Sequence, residues 1–263
     1  MPVPIHQIVT FAKDPFRGNP AFVVTLDAPR PAEMMMALCR QLQEPVLAVL
    51  SDDGEQVELR YFTPEGPHPG AGHSTHAAAW VALNRLRPGA SAIEFGLDGG
   101  GRRAARAEDG RISVDWPVMP LRPLDARDAL ADCLGSAPDE TFDSSFGVIA
   151  VFADDTKVAA LSPDLAKVAR LSSDTVIVTA PSQSADFAIR VFAPRIGLNE
   201  DPVCGTAHRI LVPFWADRLK RDTLVSHQLS PRGGILYCRL GEGIVTITGE
   251  ATLFLDGTIA LPS

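Results

Sequence analysis

The sequence predicts an α+β chain of two related lobes, and two observations carry that reading. The first is an internal echo. Arg60–Leu86 reads RYFTPEGPHPGAGHSTHAAAWVALNRL and Arg190–Leu219 reads RVFAPRIGLNEDPVCGTAHRILVPFWADRL. Both open Arg-x-Phe-x-Pro, turn through glycine and enter a helical pattern. From Ala71 and Cys204 onward they align without a gap, so Gly72 falls on Gly205 and Asn84-Arg85-Leu86 on Asp217-Arg218-Leu219. The second observation is that short extended segments and short helical patterns flank each copy, as a mixed fold requires.

In chain order, residues 20–26 and 46–50 are expected as strands. Between them a helix is expected over 31–42, because proline suits its first turn and Met35, Leu38, Cys39 and Leu42 form an apolar stripe. The segment from Arg60 is extended and stopped by Pro64. The helix after Ala71 carries Ala79, Ala82, Leu83 and Leu86 at helical spacing and ends at Pro88-Gly89. Strands are expected at 93–96 and 111–116, with a Gly99-Gly100-Gly101 turn between them and the arginines after it on a solvated face. The Pro- and Asp-rich stretch 117–128 reads as a linker, dividing the chain into lobes 1–117 and 118–263. In the second lobe, strands are expected at 147–153, 175–180 and 187–192, with a helix over 163–171. The second central helix carries Val212, Trp215, Ala216 and Leu219 at the positions of the first helix's stripe. Strands at 223–229, 234–240, 243–248 and 251–255 follow, with hairpin turns at Gly241-Glu242-Gly243 and Asp256-Gly257. Both central helices are apolar on most sides, so each is expected to be wrapped by its lobe.

Composition narrows the function. A formal net charge of −8 argues against a general nucleic-acid binder. No apolar run is long enough to span a bilayer and no charged-then-apolar leader opens the chain, so a cytoplasmic protein is expected. The four cysteines, Cys39, Cys133, Cys204 and Cys238, form no C-x-x-C pair and are expected as reduced thiols.

Chemistry is expected at the turns that precede the two helices. A helix N-terminus exposes unpaired N–H groups and a partial positive charge, and Gly70, Gly72 and Gly205 let a ligand approach that backbone. Two such termini could hold a carboxylate. Polar side chains crowd both turns: His68, His73, Ser74 and His76 in the first, and Glu200, Asp201, Cys204, Thr206 and His208 in the second. Taken singly, each is as readily a helix cap or a turn former. Together they suit proton removal next to a carboxylate, which needs a base and then an acid.

At these residues the sequence resembles the PhzF-like (phenazine biosynthesis) family of the diaminopimelate-epimerase-like fold, nearly end to end. FAKDPFRGNPAFVV, with Gly18-Asn19-Pro20, is similar to the family's opening motif. Arg60-Tyr61-Phe62-Thr63-Pro64 with Gly72-His73 resembles its first active-site segment. Phe192, Pro194, Glu200-Asp201-Pro202-Val203 and Gly205-Thr206-Ala207-His208 resemble its second. Ser230-x-Arg232-Gly233-Gly234 resembles a later turn. The resemblance implies two pseudo-symmetric lobes, each a curled, mostly antiparallel sheet around a central helix, with the active site between them. It implies that the last strand crosses back to the first lobe, and that the protein is a homodimer. It implies an isomerase that needs no cofactor, with Glu44 as the catalytic acid although its setting here is Gln43-Glu44-Pro45. His73 and Asp201 would contact substrate or relay protons, and Asn19, Gly72, Ser74, Gly205 and Thr206 would bind a small carboxylated substrate.

Cys204 departs from the PhzF-like pattern, which often has Thr there, and matches instead the catalytic thiol of the related epimerases and racemases. Those enzymes use two thiols, and Ala71 stands opposite Cys204, so a two-thiol racemase is disfavoured. Three readings stay open: a Glu44 isomerase, with or without Cys204; a single-thiol epimerase or dehydratase acting on a proline-like amino acid; and a non-enzymatic carboxylate binder. GAGHST lacks a Rossmann context. His73 and His76 have no third ligand in a recognised metal pattern, and the four lysines have no pyridoxal-phosphate setting.

Overall fold

The computed structural model describes residues 2–262. The elements in order are β1 (Pro2–Thr10), β2 (Asn19–Leu26), α1 (Ala32–Leu42), β3 (Leu47–Asp52), β4 (Val57–Phe62), β5 (Pro67–His68), α2 (Gly72–Val81), β6 (Ala92–Leu97), β7 (Arg102–Glu108) and β8 (Arg111–Pro117). They continue with β9 (Leu121–Pro123), α3 (Arg127–Leu134), β10 (Glu140–Ser144), β11 (Val148–Val151), α4 (Asp155–Ala160), α5 (Leu165–Val168), β12 (Val176–Pro181) and β13 (Phe187–Phe192). The last are α6 (Gly205–Leu219), β14 (Thr223–Gln228), β15 (Gly234–Leu240) and β16 (Ile244–Ala260). The described residues form two compact units, one from the chain's start to Asp115 together with the segment from Thr248 onward, the other Trp116–Ile247.

In the first unit the strands run β1-β2-β3-β4-β6-β7-β8-β16, and β16 pairs back onto β1, so the sheet closes. The closure holds α2 inside, packed on β1, β2, β3 and β7, and nearly every residue from Gly72 to Val81 is buried. This is the wrapped helix that its all-round apolar sequence requires. On the outer face, α1 lays Met35, Leu38 and Cys39 against Val24, Leu47, Val49 and Phe62. In the second unit β9 to β15 line up in the order β15-β14-β13-β12-β11-β10-β9, and α6 packs on β14 and β15.

The repeat extends from sequence to pairing. Along β2-β3-β4-β6-β7 the contacts run parallel, antiparallel, parallel, antiparallel. Along β11-β12-β13-β14-β15 they run in the same order. The central helices match in length: ten α-helical residues of α2 continue into a five-residue π-helical stretch, Ala82–Leu86, against fifteen residues in α6. Within α6, Pro213 has no N–H to give Arg209 O, and Met119 N takes that carbonyl instead at 3.0 Å.

Several expectations change. The linker 117–128 contains β9 and the start of α3, and α3 and α4 were not foreseen. The helix expected over 163–171 shrinks to α5. The arginines after Gly101 form β7, where Arg103 Nη1 donates to Asp115 O and Arg106 makes a two-pronged pair with Asp115, so they are not simply a solvated face. Asp256-Gly257 is not a hairpin turn. The two strands expected at 243–248 and 251–255 are one 17-residue strand, in which His6 opposes Asp256 and Ile5 opposes Gly257. A local turn signal is overridden because β1 offers partners along its whole length, with one bulge between Gln7 and Ile8.

Gly18 is bound to its position by geometry. Its φ is +65°, and a Cβ would sit 2.3 Å from Thr10 O and 2.9 Å from Ala12 Cβ. Gly18→Ala is expected to destabilise the fold by about 2–3 kcal/mol, from left-handed strain plus the clash, read as a shift in the urea midpoint at constant m-value.

Candidate active site

Glu44 follows α1 directly. Gln43 takes the left-handed cap conformation at φ 54°, and the Glu44 amide bonds back to Cys39 O at 3.0 Å. That stop turns the Glu44 side chain inward, where it is 7% exposed. Its Oε1 accepts a long hydrogen bond, 3.4 Å, from the Phe22 amide of β2. Burial raises its pKa to about 7, and the Phe22 bond offsets only part of that rise. A carboxyl at this value can both take and give a proton near neutrality.

The first turn of α2 lies against the same segment. Ser74 Oγ donates to Val46 O at 3.1 Å, two residues past Glu44, and lies 3.2 Å from His73 Nε2. Burial first, then His76 and His68 nearby, push the His73 pKa down to about 4, so the ring is neutral at pH 7. At the helix start, Thr75 Oγ1 donates to Ala71 O at 2.6 Å and meets the buried Tyr61 hydroxyl at 2.7 Å. Asn19 is buried at the start of β2, where its carbonyl accepts from Thr10 Oγ1 at 3.0 Å. In this unit, then, Gly72, His73 and Ser74 lie at one helix mouth, Ser74 ties that mouth to Val46 just past Glu44, and the strand that begins at Asn19 supplies the Phe22 amide that holds Glu44.

In the second unit the loop before α6 is braced from three sides. Asp201 N bonds Val191 O at 2.9 Å, and Val203 N bonds Asp201 Oδ1 at 3.1 Å. Gln228, 2% exposed, donates to Asp201 O at 2.9 Å and accepts from Cys204 N at 3.2 Å. Ser230 Oγ donates to Pro202 O. Arg190 grips Glu200 through Nε at 2.8 Å and Nη2 at 3.0 Å, while Nη1 donates to Leu161 O and Val158 O near the end of α4. Glu200 is thereby an anchor for the loop, whereas Asp201, Cys204, Gly205 and Thr206 gather at the helix start and Thr206 stays partly exposed.

Cys204 is 4% exposed. Burial, then the Asp201 charge, holds its thiol well above the ordinary value, although the amides of Ala207 and Thr206 pull the other way. At neutral pH it is a thiol, not a thiolate. His208 occupies the place in α6 that Thr75 has in α2: its Nδ1 donates to Cys204 O at 2.8 Å and its Nε2 accepts from Ser226 Oγ at 2.8 Å. Its pKa is about 4, lowered by burial. His76 Nδ1 is engaged by Gly72 O at 2.9 Å, and among the described residues no group of three or more His, Cys, Asp or Glu side chains is disposed to hold a metal ion. No helix among them is long and apolar enough to cross a membrane.

Gln228 and Ser226 escaped the sequence reading. Their signal was present: β14 alternates, and Leu224, Ser226 and Gln228 share its buried face. Polar residues at two of three inward positions mark a strand that serves a polar neighbour.

The comparisons agree with this architecture. The family profile described as "PhzC-PhzF: Phenazine biosynthesis-like protein" matches residues 8–257. An uncharacterized isomerase of Pseudomonas aeruginosa is 37% identical, over 99% of this chain and 100% of its own. A crystal structure of a phenazine biosynthesis protein of the PhzF family from Enterococcus faecalis superposes with a TM-score of 0.94 at 33% identity, covering 99% of this chain and 100% of that one. A hydroxyproline epimerase from Agrobacterium vitis, solved with bound trans-4-hydroxy-L-proline, shares the fold at a TM-score of 0.64 and 12% identity, over 98% of this chain and 91% of its own. The closed sheet of the first unit, the repeated central helices and the match over almost the whole length place this chain in the PhzF-like family of phenazine biosynthesis-like proteins.

Proposed function

We propose that the protein is a cofactor-independent isomerase that moves a proton between carbons of a small carboxylated substrate, with Glu44 as base and then acid. The observation that carries the proposal is the Glu44 carboxyl, buried and poised near pH 7, with the first turn of α2, which carries the neutral His73, tied by Ser74 to Val46 two residues further along the chain. As carboxylate it abstracts the proton, and as acid it returns the proton to a second carbon. His73 accepts or passes protons. In the first unit, Asn19 and the Gly72 amide are assigned to the substrate's carboxylate and its orientation, because helix N-termini favour anions. In the second unit, the Gly205 amide and the Thr206 hydroxyl are assigned to binding a carboxylate on the same ground, and Asp201 to orienting it or relaying a proton. Family membership and the isomerase naming of the Pseudomonas relative support the reaction class.

The test is solvent deuterium wash-in, screened across small amino acids and cyclohexadienyl carboxylic acids. Exchange that disappears in Glu44→Gln supports the proposal, and exchange that survives at full rate removes Glu44 from it.

Cys204 is read as a helix-start residue, since its protonated, buried thiol cannot begin the reaction as a base. Cys204→Ser is expected to keep turnover within a few-fold. A loss of turnover in that variant, together with inactivation by iodoacetamide at Cys204, would transfer the role to the thiol and favour a proline-like amino acid as substrate. The proposal includes a homodimer, which sedimentation equilibrium checks directly, and a monomer there would remove it.

A further inference from the structure

We infer that Ser74 is a positioning residue that locks His73 in one neutral tautomer, with the proton on Nε2 and the lone pair on Nδ1. A serine hydroxyl has one proton. In Ser74 that proton goes to Val46 O at 3.1 Å, because a carbonyl can only accept. The contact at 3.2 Å between Ser74 Oγ and His73 Nε2 therefore has the ring as donor. Nε2 carries the hydrogen, and Nδ1 is left as the acceptor.

The two neighbouring histidines are set by partners of their own. His68 Nδ1 accepts from Gly70 N at 3.2 Å, which puts its proton on Nε2. His76 Nδ1 donates to Gly72 O at 2.9 Å, which puts its proton on Nδ1. Three histidines within nine residues thus take assigned states through local bonds, and in His73 the partner is a hydroxyl whose own proton is held by Val46 O. Ser74 is fully buried, so water does not compete for that proton. The consequence is a direction: resting His73 is a proton acceptor at Nδ1, and it becomes a donor only after Glu44 or the substrate has given it a proton. This direction rests on the acid–base reading of Glu44, whereas the tautomer itself does not.

The experiment is long-range ¹H–¹⁵N correlation of the histidine rings in the ¹⁵N-labelled, substrate-free protein at pH 7. The expected spectrum shows His73 and His68 with the Nε2–H pattern and His76 with the Nδ1–H pattern. In Ser74→Ala, His73 is expected to move to an exchange-averaged pattern while His68 and His76 keep theirs, and kcat is expected to fall about tenfold or more with KM nearly unchanged. A wild-type His73 with its proton on Nδ1 overturns the inference, and this result needs no variant to fold. An unchanged His73 pattern in Ser74→Ala overturns it as well. Correct tautomers combined with full exchange activity in Glu44→Gln would instead leave the Ser74 lock standing and reject the Glu44 reaction.

Discussion

Glu44→Gln is expected to lose about 10²–10⁴-fold in kcat, the usual worth of a positioned acid–base group, and at the same time to become the more stable protein at alkaline pH. The two effects have one cause. In the folded state burial raises the Glu44 pKa from an ordinary 4.5 to about 7, so folding binds this proton more tightly than the unfolded chain does. Below about pH 4.5 the group is protonated in both states and imposes no penalty. As pH rises from there to about 7, the folded state progressively loses stability relative to the unfolded one, and above 7 the loss levels off at about 3 kcal/mol. Glutamine has no proton to lose. The stability of Glu44→Gln minus that of the parent should therefore grow by about 3 kcal/mol between pH 4.5 and 8, read from urea unfolding at each pH. A variant that was inactive because it misfolded would fall in stability at every pH. A flat difference would mean that Glu44 titrates normally, which would leave the proposed base without its tuned pKa.

The second large effect is expected at Glu200. Its carboxylate is 17% exposed at the side chain and receives two hydrogen bonds from Arg190, itself 11% exposed. Glu200→Leu leaves that guanidinium nearly buried without a counter-charge, a loss of about 3–5 kcal/mol. Because Asp201, whose carbonyl Gln228 braces, follows directly in the chain, substrate binding should weaken in the surviving folded fraction. Adding Arg190→Met should restore most of the stability, since a buried pair replaced as a unit costs far less than a broken one. The repeat supplies an internal control. Arg60 occupies the matching position in the first unit and lies over Phe62 as Arg190 lies over Phe192, yet its buried Nε and Nη2 have no hydrogen-bond partner. Arg60→Met is accordingly expected to cost about 1 kcal/mol or less, the scale of a cation–π contact. Equal losses at the two arginines would refute the anchoring role of Glu200.

The sequence alone determined the two central helices, their gapless correspondence and the polar turns before them. Those features are written locally: apolar residues at helical spacing, a proline that stops an extended run, a glycine where backbone must be approached. Glu44 and Asp201 were legible as candidates for a different reason, through motif resemblance. The tertiary structure decided what depended on distant partners. Whether Asp256-Gly257 turned or continued as strand depended on β1, some 250 positions away along the chain. Whether Glu44 would be an ordinary carboxylate or one poised near pH 7 depended on burial beneath β2 and on a Phe22 amide 22 residues away. Ser74 and Gln228 depended on backbone groups 24 to 28 residues distant. Periodicity within the chain reports which face a residue takes, but a proton's affinity and a hydrogen bond's direction are set by whatever the fold brings to that face.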